Sequence, residues 1–237
     1  MNQHDPFAER HEQIMKKVKP FSSSKLWIHT FIFSIFVFVG GSLYLFARRG
    51  DYDLYIANKV FATTALVLMG LSMALSGLCY FWDFVDTKII YRKHLGVIGF
   101  GYAVLHIIVT LFFLPNKFAQ PEWIIDHPVS AIVATLALLI FIGMVAISNR
   151  HAVVELGSKR WRALMRVGYV AFALVIVHFA LLKYNGWIKW IDTHEPFLPP
   201  LSLLEVIFGV GVIILRLALW VSVLSKKKPT SSPTTVK

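Results

Sequence analysis

The chain has a single cysteine. Cys79 sits inside an apolar run, which excludes a disulfide framework and a cysteine-based metal site. Charge is scarce as well: 16% of the 237 residues are Asp, Glu, Lys or Arg, and only 13 are acidic against 24 basic. No polar stretch is long enough to build a soluble domain, so any flavin- or nucleotide-binding domain is expected to belong to another protein. No proline interrupts the middle of an apolar run, and no internal repeat is evident. Both absences argue against the broken helices and repeated halves common in transporters.

What remains is apolar sequence. Hydrophobic residues make up 57% of the chain, and the mean hydropathy is +0.64, so its solvent is lipid. A net charge of +11 would suggest nucleic acid in a soluble protein. Here the basic residues stand in short runs between apolar segments, the pattern that sets membrane topology, and nucleic acid is not an expected partner. The run from Leu26 to Phe46 is long enough to cross about 30 Å of hydrocarbon at roughly 1.5 Å per residue. It starts late and lacks a small-residue cleavage site, so it reads as an anchored helix rather than a signal peptide.

Further spans are expected over 60–82, 95–114, 129–148, 165–183 and 201–224. The fold class is therefore an all-α integral membrane protein, a six-transmembrane-helix bundle. Residues 1–25 form a polar basic tail, 26–224 the transmembrane domain, and 225–237 a disordered tail. The first tail, the loop with Lys88, Arg92 and Lys93, the loop from Arg150 through Arg162 and the C-terminal lysines share one side. The other side holds Arg48, Arg49, Lys59, Lys117, Lys183 and Lys189. That asymmetry puts both termini in the cytoplasm of a multi-pass protein.

Most of the nine histidines lie in tails, loops or near span ends. His106, in the third span, and His178, in the fifth, do not. Ionisable groups at membrane depth are costly and normally face the bundle interior with a partner. The two spans run in the same direction. His106 lies 12 residues beyond His94, and His178 lies 12 beyond Arg166, so both imidazoles reach about 18 Å into the membrane. Two neutral imidazoles at matched depth can supply both axial ligands of a haem iron. They can equally make helix-to-helix hydrogen bonds or a proton relay in a haem-free transporter, channel or structural subunit. Gly96, Gly99 and Gly101 offer a low-relief surface for a flat macrocycle, or for plain helix packing. Arg216 is the other charge expected at membrane depth. It either snorkels towards the cytoplasmic face or pairs with a carboxylate or phosphate of a cofactor.

The stretches YRKHLGVIGFGYAVLH, ending at His106, and LGSKRWRALMRVGYVAFALVIVH, ending at His178, resemble the ferric reductase-like transmembrane family. Within it they are most similar to the haem-bearing membrane subunits of bacterial periplasmic methionine-sulfoxide reductase systems. The matching features are basic residues followed by Leu95-Gly96, with a histidine ten after the glycine, and Leu156-Gly157 with Lys159-Arg160-Trp161, with a histidine 17 after the tryptophan. The resemblance covers roughly residues 60–220. It implies that His106 and His178 ligate a b-type haem in the bacterial inner membrane and that electrons pass outward. The donor would be a cytoplasmic flavin, flavin reductase or quinol, and the acceptor a periplasmic reductase subunit or ferric iron.

One departure matters. Where that family usually has a second histidine in span five, 13 residues before His178, this chain has Met165. His94 and Met165 would be the ligands of a second site, but at about 100° per residue His94 is turned roughly 120° from His106, and one haem is expected rather than two. Arg162 and Arg166, beside Lys159 and Arg160, and Arg216 are the candidates for the phosphate of an FMN, or for a quinone or partner reductase on the cytoplasmic side. The same basic cluster also serves as a topology signal that attracts anionic lipid.

Overall fold

A computed structural model describes residues 22–118 and 122–226, and every regular element among them is helical. Residues 1–21 and 227–237, most of both expected tails, lie outside the described residues. Six helices are long and apolar enough to cross a membrane.

Helix α1 (Ser23–Arg49) ends where Gly50 adopts a left-handed conformation, φ 79°, and its N–H closes on Phe46 O. Three residues later Asp53 accepts from Ile56 N at 2.8 Å and starts α2 (Leu54–Phe81). This short reversal lays α1 antiparallel on α2. A 3-10 segment, Asp83–Tyr91, then returns the chain to α3 (Arg92–Ile108), whose last turn widens into a π-helical segment over Val109–Phe113. The short α4 (Glu122–Asp126) precedes α5 (Pro128–Ala146), which has a proline in its first turn where no amide donor is needed. Then come α6 (Arg150–Arg166), α7 (Gly168–Thr193) and α8 (Leu201–Lys226).

Helix α2 is the axis of the bundle. In its most apolar stretch 72% of residues are buried, against 11–17% in the other five spans, whose outer faces are left for lipid. It packs on α3, α8 and α1, while α5 pairs with α7 and α7 also touches α8. Small residues allow this. A side chain at Gly99 would come within 2.8 Å of Met69 Cγ and 3.1 Å of Met69 N. Gly96 likewise faces Ser72 Oγ on α2. These two glycines therefore seat α3 on α2, whereas Gly101 meets nothing within 4 Å.

Three boundaries differ most from the sequence expectation, the first being the start of α2, at Leu54 rather than residue 60, which brings Asn58 and Lys59 into the helix. The segment between the fourth and fifth spans is helical: Asn149 caps α6 by accepting from Ala152 N at 2.8 Å, and Gly157, at φ 72°, breaks it with a kink. The fifth helix does not stop near residue 183 but continues to Thr193, so Trp187 and Trp190 are helical rather than in a loop. No proline intervenes before Pro196, and the helix closes at His194, φ 54°.

Close packing at Gly99 has a measurable consequence. Gly99→Ala is expected to destabilise the detergent-purified protein by about 1–3 kcal/mol through overpacking, whereas Gly101→Ala leaves it near wild type. Thermal unfolding followed by tryptophan fluorescence tests this, and equal midpoints for the two variants would refute the packing assignment.

Candidate functional site

The two midspan histidines are each held by a neighbouring helix in the same way. His106 on α3 directs Nδ1 at Asn58 of α2, 3.1 Å from the backbone O and 3.0 Å from Oδ1. The amide orientation of Asn58 follows from its other contact. Its Nδ2 donates to Thr110 Oγ1 at 2.8 Å, and that hydroxyl donates in turn to His106 O at 2.8 Å. Asn58 therefore presents two acceptors to the imidazole, and Nδ1 must carry the proton. Asn58 is 1% exposed, so the arrangement is shielded from water. Thr110 lies in the π-helical turn, a distortion found mostly at functional sites.

His178 on α7 repeats the logic against α5. Its Nδ1 lies 2.8 Å from Ser130 Oγ and 3.1 Å from Ser130 O. A carbonyl can only accept, so the ring again donates from Nδ1. Ser130 is 3% exposed and follows Pro128 in the first turn of α5.

In both rings the fixed Nδ1–H tautomer leaves Nε2 as a bare lone pair, and no protein atom among the described residues hydrogen-bonds to it. A ring proton donated to a carbonyl is the usual support of a metal-ligating imidazole, because it fixes the ring and raises ligand basicity. The two imidazoles lie within electrostatic range of one another. Helices α3 and α7 nevertheless pack closely on other neighbours, α2 and α5, rather than on each other. Both rings are half-buried. This donor set, two unprotonated imidazole nitrogens from separated helices, fits the axial ligation of a haem. It does not fit a bare ion: no group of three or more His, Cys, Asp or Glu side chains gathers among the described residues.

The remaining sequence candidates divide by location. His94 is 7% exposed and packs edge-on against Trp27 of α1, ring centroids 4.6 Å apart, with Nδ1 3.3 Å from Ile90 O. Met165 is half-buried near the end of α6, which packs on α7. These two thus rest on different neighbours, and no ring or hydrogen-bond contact joins them. Arg216 stands over the ring of Tyr169 at 4.8 Å, within electrostatic range of Arg166. Arg92, at the start of α3, joins this group and was not anticipated as part of it. Arg162 is one turn before Arg166 on α6. A shallow recess lined by Ile147, Asn149, His151 and Glu155 lies at the α5–α6 junction, at the opposite end of α5 from Ser130.

Sequence reasoning also missed Glu205. It lies in the sixth span, is 5% exposed, and accepts a hydrogen bond from Thr63 on α2. An acidic residue four positions into an apolar run was a visible signal, so Arg216 is not the only charge of interest beside the histidines. Asn58 and Ser130 could have been suspected as lone polar residues facing apolar runs, but which imidazole each would meet required the fold.

Comparison with known proteins adds a second line of support. No protein-family model matches the chain. The chain is 28% identical over 173 residues, 72% of its length, to the protein-methionine-sulfoxide reductase heme-binding subunit MsrQ of Herminiimonas arsenicoxydans. It is 36% identical over 127 residues, 53% of its length, to the magnetosome protein MamZ of Magnetospirillum gryphiswaldense. A MamZ of Paramagnetospirillum magneticum is 26% identical over 133 residues. The matched stretches span 66% of the MsrQ protein and 17% and 18% of the two MamZ proteins. Six apolar helices together with the MsrQ similarity establish a multi-pass membrane protein, distantly related to a haem-binding subunit.

The tautomer assignment can be checked directly. Nitrogen NMR of histidine-labelled, haem-free protein in micelles near neutral pH is expected to show His106 and His178 protonated at Nδ1 and bare at Nε2. An Nε2–H signal from either ring would overturn it.

Proposed function

We propose that the chain is a haem-b electron-transfer subunit of a bacterial inner membrane. It would carry electrons from a cytoplasmic flavin, flavin reductase or quinol outward to a periplasmic reductase partner or to ferric iron. The observation that carries this reading is the matched pair of imidazoles, each locked by a carbonyl of an adjacent helix with Nε2 free. The similarity to a heme-binding subunit supports it.

In this reading His106 and His178 would hold the haem iron, and a bound haem would supply one-electron chemistry at a potential set by its ligands and surroundings. Asn58 and Ser130 keep the two rings oriented and deprotonated at the ligating nitrogen. The surrounding apolar side chains of α2, α3, α5 and α7 exclude water. The concentration of basic residues in the loops on one side supports a cytoplasmic location for those loops and the termini. Arg92, Arg166 and Arg216 then form a positive cluster on that side, with Arg162 nearby, suited to a flavin phosphate or an acidic partner surface. One haem satisfies the ligand set; His94, packed on Trp27, and Met165 are better explained as structural residues.

The competing reading is a haem-free protein in which the same hydrogen bonds only tie helices together. An absorption spectrum decides between them. The purified protein is expected to show sharp α and Soret bands on dithionite reduction, at about one haem per chain. His106→Ala and His178→Ala should each lose haem while still inserting into the membrane. Full haem retention in both variants would sink the ligand assignment. Asn58→Leu is expected to keep the ligands but weaken haem affinity by roughly 10–100-fold, as loss of an outer-shell partner does; haem titration of the variant measures it, and unaltered affinity would deny the amide that role.

A further inference from the structure

The end of the bundle where α1 gives way to α2 gathers positive charge that the described residues do not neutralise. Lys59 of α2 lies within electrostatic range of Arg48 and Arg49, the last residues of α1, and of Lys183 on α7. Lys183 also feels Arg49. Two carboxylates are in range of these groups: Asp53 for Lys59, and Glu205 for Lys183. Asp53 is already the helix cap of α2. One oxygen of Glu205 is taken by Thr63, and the other has no hydrogen-bond partner. Neither lysine has a carboxylate within ion-pair distance among the described residues. Lys59 Nζ instead stands 4.0 Å over the ring of Tyr55, a ring that Lys117 also approaches at 5.2 Å. Arg48 spends its Nε on Leu198 O at 3.0 Å. Both lysines are half-buried. Lys59, Lys183, Arg48 and Arg49 against the two carboxylates leave a surplus of two positive charges, and Lys117 beside Tyr55 adds a third. At low dielectric that surplus is repulsive unless an anion joins it.

The surplus sits beside the paired imidazoles. Lys59 follows Asn58, the residue that holds His106. Lys183 is five residues beyond His178 on α7, about 7.5 Å further along the helix, and lies within electrostatic range of both rings. A haem is amphipathic: its macrocycle is apolar, and one edge carries two propionate carboxylates. That edge has the charge this corner lacks, and Lys183, although turned roughly 140° from His178 at about 100° per residue, is within electrostatic range of both rings.

We propose that Lys59 and Lys183 bind the two propionates of the haem ligated by His106 and His178, so that its carboxylate edge faces the α1–α2 turn and its apolar edge faces the opposite end of the bundle. The inference rests on the haem reading above and goes beyond it by fixing the in-plane orientation of the group. Lys→Met at either position leaves the ligands in place and removes only the counter-charge. Lys→Arg retains the charge and should largely restore binding.

The test is haem titration of the full chain, prepared under haem-limited expression, with haem b and with its dimethyl ester, in which both carboxylates are masked. For haem b, Lys59→Met and Lys183→Met are each expected to weaken binding roughly tenfold, the scale of one lost charge-assisted hydrogen bond, with the bis-imidazole spectrum unchanged at saturation and the arginine variants near wild type. For the dimethyl ester, wild type and methionine variants should bind alike. Equal losses with both forms of haem would overturn the proposal by showing that the lysines act on folding. No loss with either would overturn it as well, including the case where the methionine variants lose only stabilisation by phosphatidylglycerol in nanodiscs, which would assign the corner to a lipid phosphate. Wild-type protein that binds neither form would instead refute the underlying haem reading, a result distinct from lysine-insensitive binding.

Discussion

The hydrogen bond from an imidazole Nδ1–H to a carbonyl of the neighbouring helix is the constraint around which this bundle is arranged. It answers two problems at once. A histidine at membrane depth must not be left unpaired, because neither lipid nor water will satisfy it there. A histidine intended as a ligand must not spend Nε2 on that pairing. Using Nδ1 against Asn58 and Ser130 satisfies the first requirement and preserves the second. The partners are themselves almost inaccessible to water, so the proton has no competing acceptor. That both histidines use the same nitrogen towards the same kind of acceptor, on two different helix pairs, is hard to attribute to packing alone.

This constraint divides labour among the helices. The α2–α3 pair holds one imidazole and the α5–α7 pair holds the other, and α3 and α7 face each other across the site without packing tightly. Small residues supply the close approach where it is needed, as at Gly99, where α3 rests on the backbone of α2 at Met69.

Much of this was legible in the sequence, and the reasons are physical. Lipid imposes long apolar runs on any spanning helix, so six spans and an all-helical fold could be read from hydropathy. The fixed rise of an α-helix let the sequence suggest a common depth for His106 and His178, and the structure brings the two rings within electrostatic range of one another. Contacts between helices were not readable in that way. Gly96 and Gly99 suited either a macrocycle or plain helix packing, and they seat α3 on α2, because a glycine on a helix does not announce which neighbour approaches it. The polar segment from Arg150 through Arg162 looked like a loop, but Asn149 caps it into a helix. The fifth span ran past its expected end because interfacial tryptophans and lysines are compatible with helix, and only Pro196 and the turn at His194 stop it. Asn58 passed unremarked because the second span was expected to begin at residue 60, and Glu205 because it is one acidic residue in an apolar run whose importance depends on what it faces.

The burial of α2 bears on how the chain is made. This helix carries Asn58, Thr63, Thr64, Ser72 and Ser76, all shielded in the finished bundle. During synthesis α1 and α3, its partners on two faces, emerge immediately before and after it, so most of that polar surface can be covered early. The face bearing Thr63 is different, because its cover is Glu205 of α8, which follows α2 by more than a hundred residues. Until that helix arrives, the Thr63 hydroxyl can turn back only to Lys59 O of its own helix, and the arrival of α8 gives it a partner across the bundle.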